Sequence, residues 1–203
     1  WYIRSNTNGT LRFQNWGWAG TAATPGDYDG DGETDLCVYH PAAGNWYILN
    51  STNDTMRIQQ VTIQGTDITP ADVAPLASLQ PHLVLVFASL EAMQALDAAC
   101  VQALIPQAQW VGCSTAGEIS GQGVYDGSIV LTALQFDQPA FRVASVALAG
   151  MADSQAAGQR LATCLAHPDL RHVLVLGQGA DINGSALVDG LTGTLGSAVV
   201  VSG

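Results

Sequence analysis

Laid on itself at an offset of 45 residues, the chain repeats: Trp1-Tyr2-Ile3 falls on Trp46-Tyr47-Ile48, and Thr7, Asn8, Thr10, Arg12 and Gln14 fall on Thr52, Asn53, Thr55, Arg57 and Gln59. A period of about 40 to 50 residues, built from short aromatic strands and polar turns, is the pattern of propeller blades and related β-arrays, whose units close a core only against their neighbours. Strands are predicted over 1–4, 11–15, 36–40, 46–49 and 56–60, with turns at Asn8-Gly9 and from Pro41 to Asn45. One period and part of a second are present, so the array is expected to extend upstream of Trp1.

Between these strands, Asp27, Asp29, Asp31, Glu33 and Asp35 place five carboxylates within nine positions. Charges this close repel one another unless a cation neutralises them. Acids at alternate positions of a tight loop converge on one point, Gly30 and Gly32 permit the sharp turn, and hard oxygen donors suit Ca²⁺. The loop departs from an EF-hand, whose twelfth position is a Glu: here that position is Val38, and the closing acid comes early as Asp35. Asp27, Asp29, Asp31 and Asp35 are therefore expected as side-chain ligands, with Glu33 offering its backbone carbonyl.

The run Pro25-Gly26-Asp27-Tyr28-Asp29-Gly30-Asp31-Gly32, then Thr34-Asp35-Leu36 and Gly44-Asn45-Trp46-Tyr47-Ile48, resembles the FG-GAP or VCBS repeat of integrin-like β-propellers over about residues 1–60. The resemblance implies a structural Ca²⁺ that holds a loop without catalysis, in arrays that usually serve adhesion outside cells. The Asn-x-Thr/Ser triplets at Asn8, Asn50 and Asn53 are read as turn chemistry.

After Gln60 the texture changes. Residues 65–80 carry Pro70 and Pro75 and read as a linker with one short helix capped by Thr69 or Asp67. From His82 onward strands and helices alternate: a strand over 83–88, helical spacing over 90–104, a strand from Trp110, a hairpin of 127–136 with 141–148, a helix over 154–166, a strand over 172–176, a helix over 185–195 with Asn183 near its cap, and a strand over 198–201. The fold class is α+β or mixed: a short all-β propeller-type repeat over 1–62, a linker and helix over 63–81, and an α/β layered domain with a mixed sheet over 82–203.

Composition limits the partners. The formal net charge is −11, and the six basic residues are all Arg, which leaves no electrostatic grip on nucleic acid or an anionic membrane. Apolar runs are strand-sized, short of the roughly 20 residues a membrane span needs, so no membrane insertion is expected in this segment. The four cysteines, Cys37, Cys100, Cys113 and Cys164, stand singly, without the paired spacing of a zinc or redox site, and are expected as free thiols.

Small polar residues gather where predicted strands end: Ser89 after Ala88, then Gly112-Cys113-Ser114-Thr115-Ala116-Gly117-Glu118, then the segment from Gly177 to Gly184. Such ends line the ligand crevice of α/β sheets. Neither a dinucleotide-type GxGxxG nor a Walker motif is present, so nucleotide binding has no support. Leu83 to Ser89, Val111 to Ile119, Val124-Tyr125-Asp126-Gly127-Ser128, Val173 to Leu176 and Ile182-Asn183-Gly184-Ser185 resemble the N-terminal part of the FIST domain, a sensory module of bacterial signal-transduction proteins. The resemblance implies binding of a small molecule such as an amino acid, with output to a partner or fused signalling domain. It also implies that the domain continues beyond Gly203. Gly177-Gln178-Gly179 stands where the family commonly has an acidic residue before Gly.

Ser89, Cys113, Ser114, Thr115, Glu118, Asn183 and Ser185 are the candidate ligand residues. Hydroxyls and backbone N–H groups suit a carboxylate and Glu118 suits an ammonium, which together describe a zwitterion; local capping by the same side chains is the competing reading. No catalytic residue is expected: Cys113 lacks an evident base among His40, His82, His167 and His172. Two further function classes are an adhesion protein dominated by the β-array and, last, a Cys-dependent enzyme. The compartment stays open, since FG-GAP arrays are usually extracellular and FIST domains act inside bacteria.

Overall fold

The computed structural model describes every residue except 1, 5–10, 29–32, 52–54, 121–122 and 137–138. It falls into two units, Trp1–Trp110 with Thr115–Pro139, and Val111–Ser114 with Ala140–Gly203.

In the first unit, β1 (Tyr2–Arg4) and β2 (Leu11–Phe13) form an antiparallel pair of their own. The remaining strands begin with β3 (Ala22–Ala23), β4 (Leu36–His40), β5 (Asn45–Leu49) and β6 (Thr55–Gln64). Helix α1 (Pro70–Ser78) starts at Thr69, whose N–H donates to Asp72 at 2.9 Å while Pro70 fills the first helical position, where no N–H is needed. Then come β7 (Leu83–Ala88), α2 (Leu90–Ala95), α3 (Ala98–Leu104) and β8 (Gln109–Ser114), of which Val111–Ser114 count with the second unit. A small hairpin, β9 (Glu118–Ser120) and β10 (Gly123–Tyr125), precedes β11 (Ser128–Phe136).

The main sheet has seven strands in the order β3-β4-β5-β6-β11-β7-β8. Strand β6 joins the repeat to the strands of the α/β segment. Its first half pairs antiparallel with β5 and its whole length, Met56↔Phe136 to Gln64↔Ser128, pairs antiparallel with β11. That long pairing explains why β6 runs four residues past its predicted end. Alternate residues of the central strands, Val84, Val86 and Ala88 with Ile129, Leu131 and Ala133, meet Val73 and Leu76 of α1 and Ile105 in one apolar core. The two copies of the repeat each form an antiparallel strand pair, with Ile3 opposite Arg12 but Ile48 opposite Met56, a one-residue difference in register. Strand β6 answers to β11 as well as to β5, and a register shift reassigns faces. No closed barrel or propeller exists among the described residues.

Two expected elements differ. Helical spacing over 90–104 is continuous in sequence, yet the helix breaks between α2 and α3, where Asp97 accepts the Ala99 N–H at 2.9 Å and starts a new helix. The hairpin expected of 141–148 with 127–136 does not form. Residues 141–148 make no strand, because β11 already has β6 on one edge and β7 on the other. Their in-out alternation is still used: Val146 and Leu148 pack on the core of the second unit.

That unit holds α4 (Ser154–Leu165), β12 (His172–Leu174), α5 (Gly184–Leu195) and β13 (Val200–Ser202), with β12 and β13 parallel. Helices α4 and α5 pack through glycine. A Cβ on Gly158 would lie 2.2 Å from the Leu187 carbonyl oxygen, and one on Gly190 would lie 2.1 Å from that of Gln155. Among the described residues no helix is long and apolar enough to cross a membrane.

Candidate functional site

Ser89, Thr115 and Glu118 come together in the first unit, just past the end of β7, in the turn before β9 and at the first residue of β9, against Ser128 at the start of β11. The Thr115 N–H donates to the Ala88 carbonyl at 2.8 Å and the Ser89 N–H to the Ser128 carbonyl at 3.1 Å, so three chain segments meet at one point. Ser89 caps α2 by accepting the Ala92 N–H at 3.2 Å. Glu118 lies at the centre, 1% exposed. One of its oxygens accepts the Thr115 hydroxyl at 2.8 Å; the other accepts the Ser128 hydroxyl at 2.8 Å and the Ser128 N–H at 3.1 Å. Burial pushes the carboxyl pKa up, but the bonds from Ser128 and Thr115 outweigh it and hold the group below its ordinary range. Glu118 is thus a buried anion stabilised by neutral donors, and its charge projects into the turn through the Thr115 hydroxyl.

Cys113 and Ser114 belong to the second unit, with Cys113 half-buried and Ser114 exposed. Asn183, exposed, caps α5 by accepting the Ala186 N–H at 3.1 Å, and its own N–H donates to the Ser154 hydroxyl oxygen at 2.9 Å. Ser154 in turn donates to the Met151 carbonyl at 2.8 Å. Ser185 lies exposed in the first turn of α5. Asp181, before the cap, has φ +55, a left-handed conformation that costs a non-glycine residue about 1 kcal/mol or more.

Ser128 and Ser154 are the residues that sequence reading missed. Both are fully buried with their hydroxyls engaged. Ser128 had a signal in Asp126-Gly127-Ser128, a turn-forming run with Gly127 at φ +67 just before an apolar strand. Ser154 had none beyond its place at a helix start.

In the acidic loop, Asp35 is fully buried and both of its oxygens are in use, one accepting the Ser51 N–H and the other the Tyr28 N–H, each at 2.7 Å. It clasps the loop by its backbone. Asp27 and Glu33 are described; Asp29 and Asp31 lie outside the described residues, so the expected five-acid set is described only in part. Among the described residues no three His, Cys, Asp or Glu side chains form a metal cluster.

The histidines have local partners. His82 Nδ1 accepts the Phe136 N–H at 3.1 Å and its ring stacks on Phe136, His167 accepts the Asp169 N–H at 3.2 Å, His172 bonds Ser202 at 2.7 Å, and the His40 ring meets Trp18 edge-on. Cys37, Cys113 and Cys164 are free thiols.

No curated protein and no solved structure matches the chain. Among protein families, residues 82–203 match the FIST N domain, which covers more than half of the chain and leaves residues 1–81 outside it. The match contains both polar loops described above, the turn clasped by Glu118 and the Asn183 cap. On that match the chain belongs to the FIST N domain family, a sensory family of signal transduction.

Proposed function

We propose that the chain senses a small zwitterionic ligand, in the first instance an amino acid, and passes the bound state to a downstream signalling domain or protein. The observation that carries this reading is the family match over residues 82–203 together with a buried, ionised Glu118 behind an otherwise neutral turn. Both oxygens of Glu118 are occupied by the protein, so its part is electrostatic: it turns the Thr115 hydroxyl hydrogen inward and leaves that oxygen as an acceptor for an ammonium. Ser89, in the same unit, supplies a further hydroxyl. Asn183 and Ser185, in the second unit, offer a separate polar pair suited to a carboxylate at the start of α5.

The same proposal includes a Ca²⁺ in the acidic loop. Asp27, Asp29 and Asp31 would hold it by carboxylate and Glu33 by carbonyl. Asp35 would close the site with lone pairs left beside its two N–H bonds, and the ion would supply structural cross-linking only. An adhesion role led by the repeat is the second reading, favoured by the aromatic strand pairs of residues 1–64.

A thermal-shift series with EDTA, with Ca²⁺, and with Ca²⁺ plus each common amino acid tests both parts, since a ligand of the folded state raises the transition by mass action. The expected result is one rise with Ca²⁺ and a separate rise with a particular amino acid. A transition indifferent to all of them would overturn the reading.

A further inference from the structure

Strand β6 outlasts one of its neighbours. On the β5 side, pairing ends at Asn45↔Gln59, followed by a last bond from the Gln60 N–H to the Gly44 carbonyl at 3.3 Å. On the β11 side, pairing continues to Gln64↔Ser128. The direction of each backbone group follows from the ladder. Ser128 and Leu134 of β11 give their carbonyls to Ser89 and His82, so even-numbered residues of β11 face β7 and odd-numbered ones face β6. Ile129↔Ile63 and Leu131↔Val61 then bond across, and the even-numbered residues of β6 face the other way, as the Gln60 bond shows. Thr62 therefore directs its N–H and carbonyl to the side that β5 has left, and among the described residues neither has a partner.

A cleft of about 290 Å³ lies along this edge, with Tyr39, Gly44, Gln59, Thr62, Pro75 and Ser120 among its walls and, among the described residues, no charged one lining it. Gly44, with φ +66, comes so close that a Cβ there would lie 2.9 Å from the Gln60 carbonyl oxygen. Beside the cleft, Asn45 stands directly across from Gln59, and its side-chain oxygen is buried without a partner while its NH₂ donates to the Tyr47 hydroxyl at 3.1 Å. The site thus offers a backbone donor and acceptor at strand spacing, side-chain amides, and an apolar and aromatic wall without charge.

We propose that the free edge of β6 at Thr62 is a strand-addition site for a short, uncharged, extended peptide segment, which continues the ladder where β5 turns away. A peptide backbone presents N–H and C=O groups at the repeat that Thr62 and its neighbours require, and the neutral lining favours uncharged side chains. The inference is independent of the amino-acid site at Thr115.

The test titrates the full chain with the capped peptide acetyl-Thr-Val-Thr-Val-NH₂ and with the same peptide N-methylated at every inner residue, followed by amide NMR. The expected result is a shift of the Thr62 amide with the first peptide and at least a tenfold weaker response to the second. A Thr62→Pro variant, which removes the N–H without touching the bonds to β11, should also lose binding; if that variant does not fold, the pair of peptides decides alone. No shift at Thr62, or equal binding of the two peptides, would overturn the inference.

Discussion

Removing the Glu118 carboxylate should loosen the turn that joins β7, β9 and β11, and the size of the loss should depend on what replaces it. Ser128 is fully buried and its N–H is fixed by the backbone on Glu118, whereas the hydroxyls of Ser128 and Thr115 can rotate. In Glu118→Ala the orphaned N–H costs about 1–3 kcal/mol, and the lost side-chain packing adds about 1 kcal/mol, giving a total of roughly 3 kcal/mol. In Glu118→Gln the amide oxygen can keep Ser128 while the NH₂ turns to Thr115, whose hydroxyl then reaches toward the Ala88 carbonyl 3.4 Å away. That exchange trades a charged acceptor for a neutral one and should cost about 1 kcal/mol. Urea unfolding reads the difference, because at a slope of about 2 kcal/mol/M the alanine midpoint falls by about 1.5 M and the glutamine midpoint by about 0.5 M.

The pH dependence supplies a second readout on the same variants. A carboxyl held below its ordinary pKa stabilises the fold at pH values above its unfolded pKa, near 4.5, and that stabilisation is lost as pH falls through the lower folded value. The gap between wild type and Glu118→Gln should therefore narrow on going from neutral pH into that acid range. Equal midpoints for all three proteins, or a gap that widens in acid, would refute the reasoning.

Gly158→Ala and Gly190→Ala should each separate α4 from α5 at a cost of roughly 3 kcal/mol or more, because the new Cβ meets a backbone carbonyl that cannot rotate away; near-native thermal transitions for both would contradict the packing. The Asp153 carboxyl is drawn down to about 2 by the Arg160 guanidinium, which bonds it at 2.7 Å, and by the Ala149 N–H. Its contribution should be whole above its unfolded value near 3.8 and fade as pH falls toward 2, and carboxyl NMR titration of Asp153 with and without Arg160→Gln reads this directly. Iodoacetamide at neutral pH should label exposed Cys164 and spare Cys37, which is fully buried and whose thiol burial pushes above its usual range; the reverse order would mean a different core.

Much of the fold was legible because the relevant signals are local. The apolar run Leu83–Ala88 and the aromatic run Leu36–His40 are strands with the predicted bounds, and Asn183 caps α5 as its side-chain type suggests. What sequence hid was pairing. Nothing in residues 56–64 says that β11 will align with their whole length, and the alternation of 141–148 marks a buried face without naming a partner strand. The break before α3 has its local cause in Asp97, a capping residue inside an unbroken apolar period. At the site, Glu118 was legible as an acid in a small-residue turn. Its burial was not, because burial depends on Ser128 arriving from a strand ten residues later with two donors.

The most direct test of the sensory reading is amide NMR of the uniformly ¹⁵N-labelled chain titrated with the amino acid that gives the largest thermal shift. The account predicts saturable shifts of Ser89, Thr115 and Ser128, lost together in Thr115→Val, whose β-branched side chain keeps the shape and removes the hydroxyl. Saturable shifts confined to other residues, or none with any amino acid, would contradict it.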